Sequence, residues 1–299
     1  MGHEHHHHEV EGKNLFFTIL LNAGISLAEL IGGIISGSIS LISDAIHNFS
    51  DVLSLIISYI ANKLAKREAT DKQTFGYKRS EIIAAFLNSA TLIVLAFFIL
   101  YEAIERFLNP VEISSDLVIW LALGSIFVNG LSVLFIKKDA EGNMNMKSAY
   151  LHLFGDMMTS IAVLIGGILM KYFQIFWIDP VFSILIAIYL LYLSWDIFKS
   201  SLKIMMQFTP DEIDVNEINM EVSKIKGVKN LHHIHIWQIN EHDIMFEAHV
   251  DLENDIAISE FEKVMEKVKE YLHDKYEIHH VTLQPEFSVD DNKELIQKT

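Results

Sequence analysis

Apolar residues gather into six stretches, roughly 14–36, 39–61, 82–104, 116–136, 148–170 and 176–198, separated by polar links. Each is close to the ~20 residues an α-helix needs to cross a bilayer. Beyond residue 208 the pattern changes. Residues ~214–226 place Val215, Ile218, Met220, Val222 and Ile225 on a weakly amphipathic helix that Gly227 ends. Runs at ~231–239 and ~243–252 read as strands. In the second, Ile244, Phe246, Ala248, Val250 and Leu252 alternate with Met245, Glu247, His249 and Asp251, the period of a half-buried strand. Residues ~257–273 return to a helical period through Phe261, Val264, Met265, Val268 and Leu272, and a last strand covers ~278–284. The pattern predicts an α-helical integral membrane protein with six transmembrane helices, followed by a small two-layer α+β domain of order α-β-β-α-β. The expected divisions are a histidine-rich tail over 1–13, the membrane domain over 14–207, the small domain over 208–288 and a disordered tail over 289–299.

The links set the orientation. The second carries Lys63, Lys66, Arg67, Lys72, Lys78 and Arg79, and the fourth carries Lys137, Lys138 and Lys147. Lys199 and Lys203 follow the last stretch, whereas the opposite side holds only Arg106 and Lys171. Basic links stay cytoplasmic, so both termini and the small domain are expected there. The chain has no cysteine, which removes disulfides, thiolate metal sites and thiol catalysis together. Its net charge is −16, and from residue 208 onward 21 Asp+Glu stand against 9 Lys+Arg, so −12 of the total lies in the last third. Such a domain disfavours nucleic acid and anionic lipid and attracts cations, although a solvated acidic surface explains the charge equally well.

One pattern of candidate chemistry occurs twice inside the apolar stretches: His47-Asn48-Phe49-Ser50-Asp51 and His152-Leu153-Phe154-Gly155-Asp156. A histidine and an aspartate four apart share one helix face. An ionisable residue in such a segment costs about 2.5–3.5 kcal/mol on insertion scales, which marks it as functional. Two imidazoles and two carboxylates make a four-donor set suited to Zn²⁺. At ~1.5 Å per residue, Asp51 lies about 18 Å from the outer end of its helix and Asp156 about 12 Å from the inner end of its own. In a ~30 Å hydrocarbon core these are the same depth, so two antiparallel helices can bring all four groups to one point. Metal binding requires neutral imidazoles and ionised carboxylates and therefore expels protons. The residues point to a membrane transporter for a divalent transition metal, working by alternating access.

Other polar residues in the spans (Asn22, Glu29, Asp44, Asn48, Asn88, Asn129) read as helix–helix hydrogen-bonding groups. Ser54 and Thr159 each follow an aspartate by three residues and are expected to orient the carboxylates. The Gly32-Gly33 run with Ser36, Gly37 and Ser38 suits close packing or a tight exit turn, and Gly166-Gly167 suits the same packing. At the amino end, His3 and His5 to His8 read as a metal-collecting tail, with an engineered tag as the alternative.

Together these features resemble the cation diffusion facilitator family, in its zinc-transporting (cobalt–zinc–cadmium resistance type) branch. The likeness rests on the six spans, on Ala45, His47, Asn48 and Asp51 of the second, and on Asn145, Lys147, Ala149, His152 and Asp156 at the fifth. Phe75-Gly76-Tyr77 with Arg79 and Glu81, Asp179-Pro180, and His232-His233-Ile234-His235-Ile236-Trp237 add to it. The resemblance implies a homodimeric antiporter, not an enzyme, that exports Zn²⁺, or Co²⁺ and other divalent ions, in exchange for protons. It implies His47, Asp51, His152 and Asp156 as the transport site, and a ferredoxin-like dimerisation module for the small domain. Some relatives hold a second metal between spans two and three with an acid and two histidines. Here Thr70 to Tyr77 contains no histidine, so that site is expected to be absent, with Asp71 left as a stray carboxylate. The short fourth link fits a bacterial member in an inner membrane.

The small domain holds eight histidines, His232, His233, His235, His242, His249, His273, His279 and His280. Each alone reads as structural; their bunching near Glu247, Asp251 and Glu286 favours metal. The resemblance implies His232, His249, His279 and Glu286 as a cytoplasmic Zn²⁺ site of structural or regulatory role. Thr282 and Gln284 stand where some relatives place ligands, and His273 reads as solvated. Two other function classes compete. An intramembrane zinc hydrolase needs an open water position and a general base, and no H-E-x-x-H lies within the apolar stretches. A membrane metal sensor leaves the two buried His–Asp pairs unexplained.

Overall fold

The computed structural model describes residues 5–140 and 144–296, with side chains described over 20–54, 56–57, 59–134, 137, 150 and 153–296. All six apolar stretches are helical: α1 (His5–Ser36), α2 (Ile39–Ala65), α3 (Ser80–Leu108), α4 (Ser115–Ala140), α5 (Met144–Phe173) and α6 (Ile178–Met205). Then come α7 (Val215–Val222), β1 (Val228–Gln238), β2 (Ile244–Leu252), α8 (Ile258–Tyr276) and β3 (His280–Glu286), in the expected α-β-β-α-β order. α1 starts within the histidine-rich stretch that the sequence set apart as a tail over 1–13. The chain divides into two compact units, residues 1–60 with 84–198 and residues 61–83 with 199–299. The link from α2 to α3 therefore belongs with the small domain, not with the helices.

Among the described residues four helical segments are long and apolar enough to cross a membrane: Ser80–Leu108, Ser115–Leu134, Leu153–Phe173 and Ile178–Met205. Leu20–Ser36 is a shorter apolar helix, and α2 carries Asp44 and Asp51 in its interior. The helical unit turns large apolar side chains outward, among them Phe97, Phe98, Trp120, Phe127 and Tyr192, and buries small ones, among them Ala96, Ala103, Ala122, Ala187 and Ser183. That is the arrangement expected when lipid replaces water outside and helices approach closely inside. Gly166 and Gly167 serve this packing. A Cβ on the first would lie 2.9 Å from the Phe182 ring of α6, and on the second 2.9 Å from Ile119 of α4.

The turn into α2 combines a glycine and a buried acid. Gly37 has φ +78 and donates to the Gly33 carbonyl (2.9 Å), a left-handed helix exit that a side chain would strain. Asp179, fully buried near the start of α6, accepts the Ile39 amide (2.8 Å) and the hydroxyls of Ser38 and Ser40. A carboxylate is thus fixed on the positive end of the α2 dipole. Asp179→Ala is expected to cost about 2–3 kcal/mol through these charge-assisted bonds, read as a lower melting temperature of the detergent-solubilised protein.

In the second unit β1 pairs antiparallel with β2, and β2 pairs parallel with β3, in the order β1-β2-β3. α7 and α8 cover one face, where Ile218, Val222, Phe261, Val268 and Leu272 bury against Leu231, Phe246, Ala248, Val250 and Leu283. Ion pairs stitch its surface. Lys78 in the α2–α3 link meets Asp243 (2.8 Å), and Glu217 accepts from Lys275 and from the Tyr276 hydroxyl (2.9 Å). The Lys275 hydrogen bond holds the Glu217 carboxyl below its usual range, and the Lys78 hydrogen bond does the same for Asp243. A depressed folded pKa means that the unfolded chain takes up protons first. The stabilisation is complete above about pH 4–5 and is lost as pH falls through the lower folded values. The melting temperature of this unit is therefore expected to drop between pH 5 and pH 3, and to drop less in Glu217→Gln.

The segment after β3, expected to be disordered, instead runs back along the sheet as far as Ile296. His233 and Ile234 of β1 donate their amides to the carbonyls of Glu294 (3.2 Å) and Leu295 (2.8 Å), and Leu295 packs against the core. β1 is an edge strand in the β1-β2-β3 order, and an edge strand offers unpaired amides that a passing chain can satisfy.

Candidate functional site

α2 and α5 bring three of the four donors of the repeated pair together. His47 Nδ1 lies 3.6 Å from Asp51 Oδ2, and His47 Nε2 lies 3.7 Å from Asp156 Oδ1. One donor atom from each of His47, Asp51 and Asp156 fits within a 4.8 Å cluster. The fourth predicted donor, His152, lies on α5 one turn before Asp156, and its side chain lies outside the described residues. Tetrahedral Zn²⁺ with ~2.0–2.1 Å bonds spaces its donors ~3.4 Å apart. The two short spacings use different ring nitrogens of His47, and one imidazole gives an ion only one of them. With one donor atom from each residue the set lies within 4.8 Å, so closing on an ion takes side-chain shifts.

His47 and Asp156 are buried, whereas Asp51 keeps 27% of its side-chain surface exposed. That exposure opens on a cavity of about 360 Å³ lined by His47, Asp51, Ser54, Asn88, Ser194 and Ile197, among others. Its lining comes from the middle of α2, the first half of α3 and, from Leu193 to Ile197, the second half of α6. The cavity therefore approaches the site from the end where α2 finishes and α3 begins. The Tyr189 ring meets His47 edge-on at 6.2 Å and fills the α6 side.

Asp44 has a larger part than a generic hydrogen-bonding group. It is buried one turn before His47 and faces α5, where Thr159 Oγ1 lies 2.8 Å from its Oδ1 and Ser160 Oγ 3.2 Å from its Oδ2. The same hydroxyls lie 2.8 and 3.0 Å from the backbone carbonyl of Asp156. Thr159 thus ties Asp44 to the Asp156 main chain, not to the Asp156 carboxylate as its spacing suggested. Ser160 also meets Ser125 of α4 (2.9 Å), and Glu29 of α1 is fully buried beside Ser125 and Asn48. Asn129 bonds Ser125 (3.5 Å), as expected of a helix–helix group.

The second unit assembles a separate cluster through sheet register. His232 pairs with His249, His249 with Gln284, and Asp251 with Glu286, which places these side chains on the face away from α7 and α8. His249 Nδ1 is 2.7 Å from Glu286 Oε1, and His232 Nε2 is 3.2 Å from both Glu286 Oε2 and Asp291 Oδ2. His232, His249 and Glu286 are therefore together as expected. His279 is not with them; it stands beside His273 with ring centroids 4.8 Å apart. The reason is strand length: seven residues at ~3.3 Å separate it from Glu286 by about 23 Å. Asp291, beyond the strands, takes its place in the cluster.

Lys293 completes the group. Its ammonium donates to Asp251 Oδ1 (2.9 Å), Glu286 Oε2 (3.1 Å) and Asp291, and lies 3.4 Å from His232 Nε2. Burial works against its charge, but the bonds to Asp291, Asp251 and Glu286 outweigh it and raise the Lys293 pKa. The same bond holds Asp291 below the usual carboxylate range. β1 accommodates the cluster with a register shift between His232 and His235, where His233 takes φ +51.

Residues 15–206 match the family model described as the cation efflux transmembrane domain, and residues 210–288 match that of the cation efflux protein cytoplasmic domain. The chain is 37% identical over 291 residues to a cadmium, cobalt and zinc/H(+)-K(+) antiporter of Bacillus subtilis, covering 96% of this chain and 92% of that one. It is 34% identical to the metal cation efflux system protein CzcD of Cupriavidus metallidurans, with 96% and 90% covered. With the zinc transporter ZitB of Escherichia coli the identity is 31%, with 96% and 93% covered.

Proposed function

The chain belongs to the cation diffusion facilitator family, in its zinc-transporting branch, and from that premise we propose that it exports Zn²⁺ from the cytoplasm in exchange for protons. Co²⁺ and other divalent transition ions are further substrates in this reading. The transport site is His47, Asp51, His152 and Asp156, held by six transmembrane helices in a homodimer with both termini cytoplasmic, in a bacterial inner membrane. The observation that carries it is the convergence of His47, Asp51 and Asp156 from two helices, with His47 and Asp51 lining one cavity. Under this orientation the cavity opens to the cytoplasm, so the arrangement is the loading state.

An ion entering there meets Asp51 first and gives up water for imidazole and carboxylate donors. Ligation excludes protons from the same atoms, and reprotonation on the outer side drives release. The four donors thus serve both ions in turn, which couples an inward proton gradient to outward metal movement. The second unit, in this reading a ferredoxin-like dimerisation domain, binds Zn²⁺ as a regulatory ion at His232, His249, Glu286 and Asp291.

Zinc flux in proteoliposomes under an imposed pH gradient tests the reading, with potassium replaced by choline in a parallel set because the B. subtilis relative is a cadmium, cobalt and zinc/H(+)-K(+) antiporter. Zinc moving against its gradient while protons move the other way is the expected result. Zinc transport without proton movement would remove the antiport mechanism.

A further inference from the structure

The mechanism above makes no use of Lys293. Its ammonium has three N–H donors, and all three are taken by carboxylates from three places: Asp251 on β2, Glu286 on β3 and Asp291 in the C-terminal segment. Three carboxylates around one ammonium are only partly neutralised, and a dication in its place offsets more of their charge than the lysine does. The donor atoms are also spaced for metal. Glu286 Oε2, His232 Nε2 and Asp291 Oδ2 are linked by two separations of 3.2 Å, against the ~3.4 Å edge of a zinc tetrahedron. Lys293 Nζ sits 3.1 and 3.4 Å from two of those atoms. A dication bound to them and an ammonium in that position would be like charges a few ångströms apart, so the two cannot be held together.

We propose that the cytoplasmic cluster works by exchange, with the Lys293 ammonium occupying it until a divalent metal ion displaces it and takes His232, His249, Glu286 and Asp291 as ligands. The C-terminal segment is then both donor and competitor, Asp291 supplying a ligand and Lys293, two residues on, the rival charge. The competitor is tethered. The amides of His233 and Ile234 hold Glu294 and Leu295, which keeps Lys293 at a high effective concentration over the site. Apparent metal affinity is reduced by the fraction of time the lysine is seated. Seating of nine-tenths or more sets the cluster about tenfold less sensitive than its donors alone would make it.

The inference rests on reading the second unit as metal-binding, and the test separates the two. The full chain in detergent is titrated with Zn²⁺, following bound stoichiometry and the acetylation of Lys293 by mass spectrometry. Zinc should turn Lys293 from protected to reactive. Lys293→Met should bind zinc at this cluster about tenfold more tightly, whereas Lys293→Arg, which keeps the charge, should stay near wild type and guards against a folding defect in the first variant. Zinc that binds with a stoichiometry reduced by His232→Ala, yet leaves Lys293 labelling and the Lys293→Met affinity unchanged, overturns the exchange and leaves the site standing. A stoichiometry that His232→Ala with His249→Ala does not alter removes the site itself, and the exchange with it.

Discussion

Asp156→Ala is expected to abolish zinc flux in proteoliposomes, by more than about a hundredfold, since losing only an orienting partner of a metal ligand already costs 10–100-fold. Asp156 is buried and opposes His47 across the α2–α5 contact. Its removal takes away a donor and a negative charge where no water can replace them cheaply. Asp156→Asn keeps the volume and loses the charge, and should be as inactive. Asp51→Ala should be equally damaging at low zinc but act more on apparent affinity, because Asp51 faces the cavity. Initial rates over a zinc titration, with unchanged helicity and melting temperature as the folding control, decide the matter. Normal transport by Asp156→Ala would remove the site assignment.

The meeting of His47, Asp51 and Asp156 was legible in the sequence, because the cost of such residues in an apolar helix marks them and helix rise alone put both pairs at one expected depth. The polar face of β2 was legible for a similar reason, since strict alternation from Ile244 to Leu252 places His249 and Asp251 together. Periodicity does not report what a side chain bonds. Thr159 follows Asp156 by three residues, yet its hydroxyl reaches back to the Asp156 carbonyl and across to Asp44, a bond that depends on the neighbouring helix. His279 was placed by resemblance, whereas the strand period separates it from the residues that share a face with Glu286. Asp291 and Lys293 were missed because a polar segment after the last strand reads as unstructured. The available signal was Leu295 and Ile296, an apolar pair able to anchor the segment to an edge strand.

Asp44→Ala is expected to reduce zinc transport by about 10–100-fold, the range for a partner that orients metal ligands, while leaving zinc affinity much closer to wild type than Asp156→Ala does. Asp44 shares the helix of His47 and Asp51, and its two oxygens face the hydroxyls of Thr159 and Ser160 on the helix of Asp156. These contacts join the two halves of the proposed transport site without using any of its donors. Removing the carboxylate leaves both hydroxyls a second acceptor in the Asp156 carbonyl, so the helices stay folded but lose the bonds that fix their mutual setting. Turnover then falls more than binding. Thr159→Val removes one of the bonds and should be milder, and in Asp44→Ala/Thr159→Val the second change should add little, because residues sharing one interaction are not additive. An Asp44→Ala variant that loses zinc affinity as completely as Asp156→Ala would make Asp44 a ligand. One that transports at the wild-type rate would show that α2 and α5 keep their setting through packing alone.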